Sequence, residues 1–146
     1  MSHAAHQVVV SENGRGRYQQ DIVAGTHTLL ADEPVTLGGG DAGPAPYDYL
    51  LAALGACTSM TLRMYAERKA LPLTGVSVTL THEKVTVEGR GTIDRITREI
   101  ALAGELTPEQ RQRMLEIANR CPVHRTLSGN LQIDSRLSDR ELAGAT

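Results

Sequence analysis

Two cysteines, Cys57 and Cys121, are the residues of this sequence best suited to chemistry. A thiolate is a nucleophile, a metal ligand and a redox group. Cys121 directly precedes Pro122, which opens a helix locally, and His124 follows three residues after the cysteine. A helix that restarts there directs backbone N–H groups toward the sulfur and favours its thiolate. The pattern predicts a reactive Cys121, whereas Cys57 lies on an apolar helix face, where free cysteine is often a small buried residue.

A metal site is the first alternative for these thiols. Cys121 and His124 have the spacing of one ligand pair of a zinc site, which Cys57, His82 or His27 would have to complete. Apart from His3 and His6, in the terminus predicted to be disordered, the sequence contains no second closely spaced pair, although structural zinc takes four ligands, so we expect no metal. Serine-hydrolase and nucleotide-binding chemistry are also disfavoured, because the sequence has neither Gly-x-Ser-x-Gly nor a P-loop.

The composition argues against nucleic-acid, secreted and membrane proteins. The net charge is −2, and aromatic residues make up only 3% of the 146 residues, so we expect no nucleic-acid partner. The N-terminus has no signal-peptide pattern, and the longest apolar stretch, 47–66, contains Asp48 and Arg63. Two cysteines are too few for a secreted disulfide scaffold, and together these features predict a cytoplasmic protein without a membrane partner. The length predicts one domain over residues 1–146, with residues 1–6 as a disordered terminus.

Hydrophobic periodicity predicts the elements that must position the cysteines. Strands are expected at 8–10, 17–23 and 27–31, followed by a glycine- and proline-rich loop at 38–46. A helix about 35 Å long is predicted over 47–69, because apolar residues recur at helical spacing. It is apolar around most of its circumference, so we expect it to be central and covered on several sides. Its main apolar face consists of Leu50, Leu54, Cys57, Thr61 and Met64.

The second half of the chain alternates again between strand and helix patterns. Apolar and polar residues alternate over 76–81 and 96–102, which predicts an antiparallel hairpin. Thr107 begins a helix, as an N-cap residue followed by Pro and by Gln at the capping-box position. A short helix at 123–127 and a last strand at 131–133 complete the prediction. The fold class is therefore α+β.

Two segments of the chain resemble a known family. GPAPYDYLLAALGACT at residues 43–58 is similar to the central helix of the OsmC/Ohr superfamily, the osmotically inducible and organic-hydroperoxide-resistance proteins, in which an Asn-Pro-Glu start leads to Ala-Ala-Cys. RCPVHRTL at residues 120–127 resembles the family's second cysteine segment, Cys-Pro-x. The order of predicted elements also fits along nearly the whole chain. The resemblance implies an OsmC-like fold: an intertwined homodimer with a long central helix packed against antiparallel sheets.

The resemblance also implies a chemistry, that of a thiol-dependent peroxidase. In the family the first cysteine attacks a hydroperoxide and becomes a sulfenic acid, and the second condenses with it to a disulfide. A dithiol reductant of the dihydrolipoyl type then restores the thiols. Mapped onto this sequence, Cys57 attacks and Cys121 resolves, with organic hydroperoxides or hydrogen peroxide as substrate. No metal or organic cofactor is implied, because the thiols themselves carry the electrons.

The family also implies charged residues beside the first cysteine. An arginine from the first strands stabilises the attacking thiolate, and Arg17 is the best match here, with Arg15 as the runner-up. The family's glutamate that holds this arginine corresponds to Tyr47, and Asp48 is the nearest carboxylate. On a straight helix Asp48 lies about 13.5 Å from Cys57 along the axis and on the opposite side, so it could act only across a dimer or at a bent helix start. Its other interpretation is a favourable charge at the helix N-terminus.

Two departures from the family pattern leave a second function open. Without the glutamate, the same fold could be a small-ligand-binding module or a thiol redox sensor, with the loop 38–46 as the binding site. His124 stands where the family's typical peroxidases often carry a small polar residue, and it could supply positive charge to Cys121 or lie on the surface. Catalytic turnover with a dithiol would distinguish the peroxidase from the sensor.

Overall fold

The structure of the protein is a computed structural model that describes residues 5–140 and residue 142. The chain forms two compact units, Met1–Tyr49 with Ser135–Thr146, and Leu50–Asp134. A single domain over residues 1–146 stays a prediction, and the disordered terminus predicted for residues 1–6 falls largely outside the described residues. Within the described residues, no helix is both long enough and apolar enough to cross a membrane.

The first unit contains a three-stranded antiparallel sheet in the order β1-β2-β3. Its strands are β1 (Val9–Glu12), β2 (Gln20–Ala24) and β3 (His27–Ala31). The turn between β2 and β3 places Gly25 at a φ of 61°, which glycine adopts without strain. The predicted hairpin is confirmed, but its first strand begins at Gln20 rather than at residue 17. The cause is a turn in which the Asn13 N–H donates to the Gln19 carbonyl.

A loop rich in glycine and proline follows β3 and is organised by one buried carboxylate. Asp32 accepts the backbone N–H groups of Glu33, Gly40 and Ala42 at 2.8, 3.2 and 3.0 Å. These bonds, that of Ala42 above all, hold the pKa of Asp32 below its usual value, although burial acts in the opposite direction. Gly39 is required here, because an added Cβ would lie 2.1 Å from the Glu33 carbonyl oxygen.

Helix α1 (Pro46–Arg68) carries the first cysteine, and its bounds agree with the predicted ones within one residue. Its buried face is rotated from the predicted one and consists of Leu54, Gly55, Thr58, Leu62 and Ala66. The glycine permits this rotation by close approach to a strand, since an added Cβ would lie 2.7 Å from Leu80 Cδ1. The side that carries Met64 is open in this chain, with Met60 59% and Met64 61% exposed, so the predicted burial of Met64 stays a prediction. The described residues of this chain therefore leave one apolar side of the helix uncovered.

The second unit is built on a long antiparallel hairpin, β4 (Leu73–Val87) and β5 (Gly91–Gly104). The predicted turn between these strands is confirmed, with Gly89 at a φ of 80°. Half-buried residues alternate with exposed ones on both strands, as the sequence predicts. The half-buried residues that pack against the core of this unit include Val76, Ile100 and Leu102.

Two shorter helices, α2 (Pro108–Ala118) and α3 (Pro122–Ser128), complete the second unit. The predicted capping box is present: the Thr107 hydroxyl accepts the Gln110 N–H, and Gln110 Oε1 accepts the Thr107 N–H. Apolar faces of α1, α2 and β4 meet in one core, which consists of Leu62, Ala66, Leu73, Met114, Ile117 and Ala118. This packing brings the end of α2, and hence the second cysteine, against α1.

The strand predicted at residues 131–133 is wrong. Residues 130–138 have no regular secondary structure, and Leu131 and Ile133 are 56% and 80% exposed. An extended segment becomes a strand only when a neighbouring strand supplies its hydrogen bonds. None of the strands within the described ranges pairs with this segment.

Candidate active site

The fold brings the two cysteines together from distant parts of the sequence. Cys57 lies in the middle of α1, and Cys121 is the N-cap residue of α3. Their thiols lie close enough for Cys121 to influence the pKa of Cys57, and both are free. Cys121 is fully buried, whereas Cys57 is partly exposed. Cys57 is therefore the thiol that a molecule from solvent can reach.

The first turn of α3 directs backbone N–H groups at both sulfurs. The N–H of His124 donates to Cys121 Sγ at 3.3 Å, and the N–H of Val123 donates to the Cys57 thiol. Pro122 suits this first helical position, because it lacks an N–H and its ring fixes φ for helix entry. The helix restart predicted after Cys121 is confirmed, and it serves Cys57 as well.

The surroundings of Cys57 raise the pKa of its thiol. Burial is the largest cause, since it removes solvation from the thiolate. The neighbouring Cys121, a second ionisable sulfur, also raises the pKa of Cys57, whereas the Val123 N–H and the Thr61 hydroxyl lower it. Near neutral pH these contacts hold Cys57 mainly as a thiol. A large thiolate fraction would need a nearby positive charge.

Thr58 fixes the orientation of the second thiol. Its hydroxyl donates to the Leu54 carbonyl oxygen at 2.7 Å, which commits its only proton. Its oxygen accepts from Arg98 Nη1 at 2.9 Å, because a guanidinium can only donate. The second lone pair of the oxygen faces Cys121 Sγ at 3.8 Å. Because the Thr58 proton is already committed, the donor in this contact is the Cys121 S–H group.

Arg98, on β5, is a residue of the site that sequence reasoning missed. Besides Thr58, its guanidinium donates to the Ala118 carbonyl oxygen at 3.1 Å and to Asn119 Oδ1 at 2.9 Å. A signal was present in the sequence, because residues 96, 98, 100 and 102 share one strand face and the other three are aliphatic. A charged residue on a half-buried apolar face needs polar partners.

The imidazole of His124 contributes no positive charge to the thiols near neutral pH. Burial, and second the charge of Arg98, lowers the pKa of His124. The ring is therefore neutral, and His124 acts on Cys121 through its backbone N–H. The hypothesis of a cationic His124 beside Cys121 is disfavoured.

The two arginines predicted from the family lie in the first unit. Arg17 is exposed in the turn before β2, and its guanidinium carbon lies 5.1 Å from the centre of the Tyr18 ring. Arg15, the runner-up, forms an ion pair with Asp21 at 3.1 Å. Arg15 is thus paired with a carboxylate of its own sheet. The assignment of Arg17 as the positive charge beside Cys57 stays a prediction.

Asp48 participates in the N-terminus of α1. Its carboxylate accepts the Ala45 N–H at 2.9 Å, the contact that the third residue of a helix makes in a capping box. This geometry agrees with the interpretation of Asp48 as a charge at the helix start. A role for Asp48 at the thiols stays a prediction, and Tyr47, at the family's glutamate position, is 52% exposed.

A cavity of about 510 Å³ lies in the second unit, and two of its lining residues, Leu54 and His124, stand three positions from Cys57 and Cys121 in the sequence. Its apolar walls come from Leu54, Ile96, Leu115 and Leu127, and its polar side includes Arg98, Asn119 and His124. A second cavity of about 520 Å³ is lined by loop residues 41–45 with Pro34 and Asp48. Within the described ranges, no group of three or more His, Cys, Asp or Glu residues is arranged to hold a metal ion. His82, one candidate ligand, instead contacts Asp94 at 2.8 Å.

The sequence and fold define the class to which the chain belongs. The OsmC-like protein family matches residues 38–136, and the chain is therefore a member of this family, within the OsmC/Ohr superfamily. No curated protein sequence matches the chain significantly.

Solved structures share the fold over most of their length. An organic hydroperoxide resistance protein OsmC from Legionella pneumophila is 19% identical with a TM-score of 0.65, over 90% of this chain and 94% of that one. An OsmC-like protein from Mycoplasma pneumoniae is 18% identical with a TM-score of 0.73, over 88% and 90%. An organic hydroperoxide resistance protein from Elizabethkingia anophelis is 20% identical with a TM-score of 0.65, over 90% and 93%. The predicted α+β, OsmC-like fold, with a long helix and antiparallel sheets, is confirmed.

Proposed function

We propose that the protein is a thiol-dependent peroxidase that reduces organic hydroperoxides or hydrogen peroxide. The observation that carries the proposal is the contact between the partly exposed Cys57 thiol and the buried Cys121 thiol at the start of α3. Family membership supports it, because similar structures include proteins named for organic hydroperoxide resistance. The chemistry needs free thiols, so the proposal includes a reducing compartment, the cytoplasm.

In the first step the Cys57 thiolate attacks one oxygen of the hydroperoxide. An S–O bond forms, the O–O bond breaks, and the leaving alkoxide takes up a proton and departs as the alcohol. Cys57 loses two electrons and becomes a sulfenic acid. The Val123 N–H is placed to stabilise the attacking thiolate.

In the second step Cys121 resolves the sulfenic acid. Its sulfur attacks the sulfur of Cys57, an S–S bond forms, and the sulfenic oxygen leaves as water with the Cys121 proton. Thr58 accepts a hydrogen bond from Cys121 before this step and thus orients its sulfur. A dithiol of the dihydrolipoyl type then supplies two electrons by two thiol–disulfide exchanges, and both cysteines return to thiols.

The proposal includes Arg17 as electrostatic support for Cys57, with Asp48 as a weaker contributor. A positive charge is needed because burial raises the pKa of Cys57. The exposed guanidinium of Arg17 packs on Tyr18 and is not consumed by the Asp21 carboxylate, which pairs with Arg15.

The active form is proposed to be a homodimer. The open side of α1 carries Met60 and Met64, each more than half exposed, and Ala53 and Ala56 of the same helix are exposed as well. Exposed apolar surface of this kind is typical of a protein interface. A second copy of the chain that packs on this surface would bury the side of α1 that the sequence predicts to be covered.

The cavity beside Arg98 favours alkyl hydroperoxides over hydrogen peroxide. Leu54, Ile96, Leu115 and Leu127 offer apolar contact to an alkyl group, and hydrogen peroxide has no apolar part to gain from it. We therefore expect a lower KM for cumene hydroperoxide than for hydrogen peroxide.

The experiment is a peroxide-consumption assay with cumene hydroperoxide and dihydrolipoamide. The wild type should consume peroxide continuously. Cys57→Ser should be at least about a hundredfold slower, because the serine hydroxyl is not ionised near neutral pH. Cys121→Ser is the matched variant: it should still form the sulfenic acid once but accumulate it without a disulfide. Wild-type protein that consumes no peroxide would overturn the proposal.

A thiol redox sensor or a small-ligand-binding protein is the second candidate. It is favoured by the raised pKa of Cys57 and by Tyr47 in place of the family's glutamate. The cavity of about 520 Å³ along loop residues 41–45 would be the ligand site. Stoichiometric oxidation of both thiols without turnover would select the sensor, and tight ligand binding without thiol oxidation would select the binding protein.

A further inference from the structure

We propose that Arg98 is a positioning residue that holds the two cysteine-bearing segments together, so that disulfide formation outcompetes further oxidation of Cys57. This inference rests on the proposed function for its biological meaning. Arg98 lies on β5, far in sequence from both cysteines. Its hydrogen bonds go to Thr58, Ala118 and Asn119, and not to either sulfur.

One branch of the Arg98 guanidinium reaches α1. Nη1 donates to Thr58 Oγ1 at 2.9 Å, and Thr58 directly follows Cys57 on the helix. Thr58 is fully buried, and its hydroxyl proton is tied to the Leu54 carbonyl oxygen. The position of the α1 backbone at Cys57 is thereby tied to the guanidinium.

The same guanidinium reaches the end of α2. Nη1 donates to the Ala118 carbonyl oxygen at 3.1 Å, and Nη2 donates to Asn119 Oδ1 at 2.9 Å. Asn119 is the C-cap of α2, two residues before Cys121, and a cation is favourable at a helix C-terminus. The segment that carries Cys121 is thereby tied to the same point as Cys57.

The planar fork of arginine suits this task in a way that lysine does not. Three acceptors on two helices are bound at once by nitrogen atoms in fixed mutual geometry. All three acceptors are neutral oxygens, so these contacts act mainly by fixing position. An ammonium group would keep the charge but lose the simultaneous contacts.

Position matters at the resolving step of the reaction. The Cys57 sulfenic acid either loses its oxygen as water when Cys121 forms the S–S bond, or reacts with a second hydroperoxide, which gives up one oxygen and leaves as alcohol while Cys57 becomes a sulfinic acid. A disulfide forms only with Cα atoms within about 7 Å and in a narrow range of dihedral angles. Segments held by Arg98 reach this geometry more often than segments that are not.

The test compares Arg98→Met, Arg98→Lys and the control Arg95→Met. Arg95 lies on the same strand, is exposed and is only loosely paired with Glu83 at 3.9 Å. The first readout is the equilibrium between dithiol and disulfide in dithiothreitol redox buffers, which involves no peroxide. Arg98→Met should reduce the effective concentration of one cysteine thiol at the other about tenfold. The reduction potential of the Cys57–Cys121 disulfide should then be about 30 mV more oxidising. Arg98→Lys should lie between, and Arg95→Met should match the wild type.

The second readout is the number of cumene hydroperoxide turnovers before Cys57 becomes a sulfinic acid, measured by mass spectrometry. It should fall several-fold in Arg98→Met, whereas the first formation of sulfenic acid should be unchanged. A general loss of stability would slow both steps alike. An unchanged potential together with an unchanged turnover number would overturn the inference.

A milder variant, Asn119→Ala, tests the same proposal in case Arg98→Met does not fold. If Arg98→Met does not fold, Asn119→Ala removes one of the three contacts at an exposed residue. It should shift the disulfide equilibrium in the same direction by about threefold, the lower end of the usual effect of one hydrogen bond, because the Asn119 contact is exposed. No shift in this variant would contradict the proposal. A wild type that forms the disulfide but consumes no peroxide would refute the peroxidase and leave the role of Arg98 standing.

Discussion

Backbone N–H groups converge on side chains in two regions of this molecule, with opposite outcomes. In the loop after β3, three N–H groups bind the Asp32 carboxylate and lower its pKa. At the start of α3, Val123 and His124 give one N–H group each to Cys57 and Cys121, and the pKa of Cys57 is still raised. At Asp32 three N–H groups outweigh burial, whereas at Cys57 the Val123 N–H and the Thr61 hydroxyl do not offset burial together with the neighbouring Cys121.

The two regions differ in the charge of their central side chain at neutral pH: Asp32 is an anion, whereas Cys57 is mainly a neutral thiol. The carboxylate of Asp32 is ionised throughout the neutral range and holds the loop in one conformation. Cys57 loses its proton only when the pH rises well above neutral or when a nearby positive charge lowers its pKa. The same local arrangement thus stabilises an anion in the first unit and leaves a protonated thiol at neutral pH in the second.

The largest expected effect is the pH dependence of the reaction of Cys57. Only the thiolate reacts, and the pKa of Cys57 is raised above its ordinary value, so alkylation by iodoacetamide should accelerate about tenfold per pH unit from pH 7 to 9. Peptide mass spectrometry follows Cys57 separately, and buried Cys121 should react far more slowly. A rate that levels off below pH 8 would show that a charge such as that of Arg17 has reversed the shift, and the contrast with Asp32 would fail.

The second expected effect is on the stability of the protein through the loop. Asp32→Asn replaces an acceptor of three N–H groups by an amide, and the melting temperature at pH 7 should fall by several degrees. Because the folded-state pKa is lowered, the stability from Asp32 is present above the unfolded pKa and is lost as the pH falls through the folded value. The difference between wild type and variant should therefore shrink below about pH 4.

The exposed Asp41 of the same loop provides the control for this measurement. Asp41→Asn makes the same chemical change, and asparagine tolerates the positive φ of 54° at this position. Its melting temperature should stay within one or two degrees of the wild type, as is usual for surface substitutions. Equal losses in the two variants would mean that net charge, and not the N–H contacts of Asp32, stabilises the loop.

The smallest expected effect concerns the single hydroxyl that supports Cys57. Thr61→Val keeps the shape of the side chain but removes a contact that lowers the pKa of Cys57. The alkylation rate at pH 8 should fall about threefold, the lower end of the usual effect of one hydrogen bond, because Thr61 is the weakest of the influences on the pKa of Cys57. Thr79→Val, at an exposed position of β4, should leave the rate unchanged. An unchanged rate in Thr61→Val would contradict a role of the Thr61 hydroxyl at Cys57.

Elements specified by local interactions could be predicted from the sequence. The capping box of Thr107 and Gln110, the turn at Gly89 and the restart of a helix after Pro122 all form where the sequence predicts them. Each depends on residues within a few positions of one another, whose conformational preferences hold in any protein. The burial of Met114, Ile117 and Ala118 also agrees with the helical spacing.

Elements specified by packing could not be predicted in the same way. The buried face of α1 follows from the close approach of Gly55 to Leu80, which no periodicity in the helix itself reveals. Residues 131–133 have the alternation of a strand, but alternation does not provide the neighbour that a strand needs. In both cases the missing information lies in a second segment of the chain.

The cysteine pair shows the same division most directly. The sequence by itself determined that Cys57 lies on a long helix and that Cys121 sits at a helix break before Pro122, because local conformational preferences fix both. Only the tertiary structure decided that the two thiols meet. The same holds for the contact of Val123 with Cys57 and for the hydrogen bonds of Arg98 to both helices. These contacts join segments separated by tens of residues, and their geometry follows from the packing of α1, α2 and the hairpin around one core.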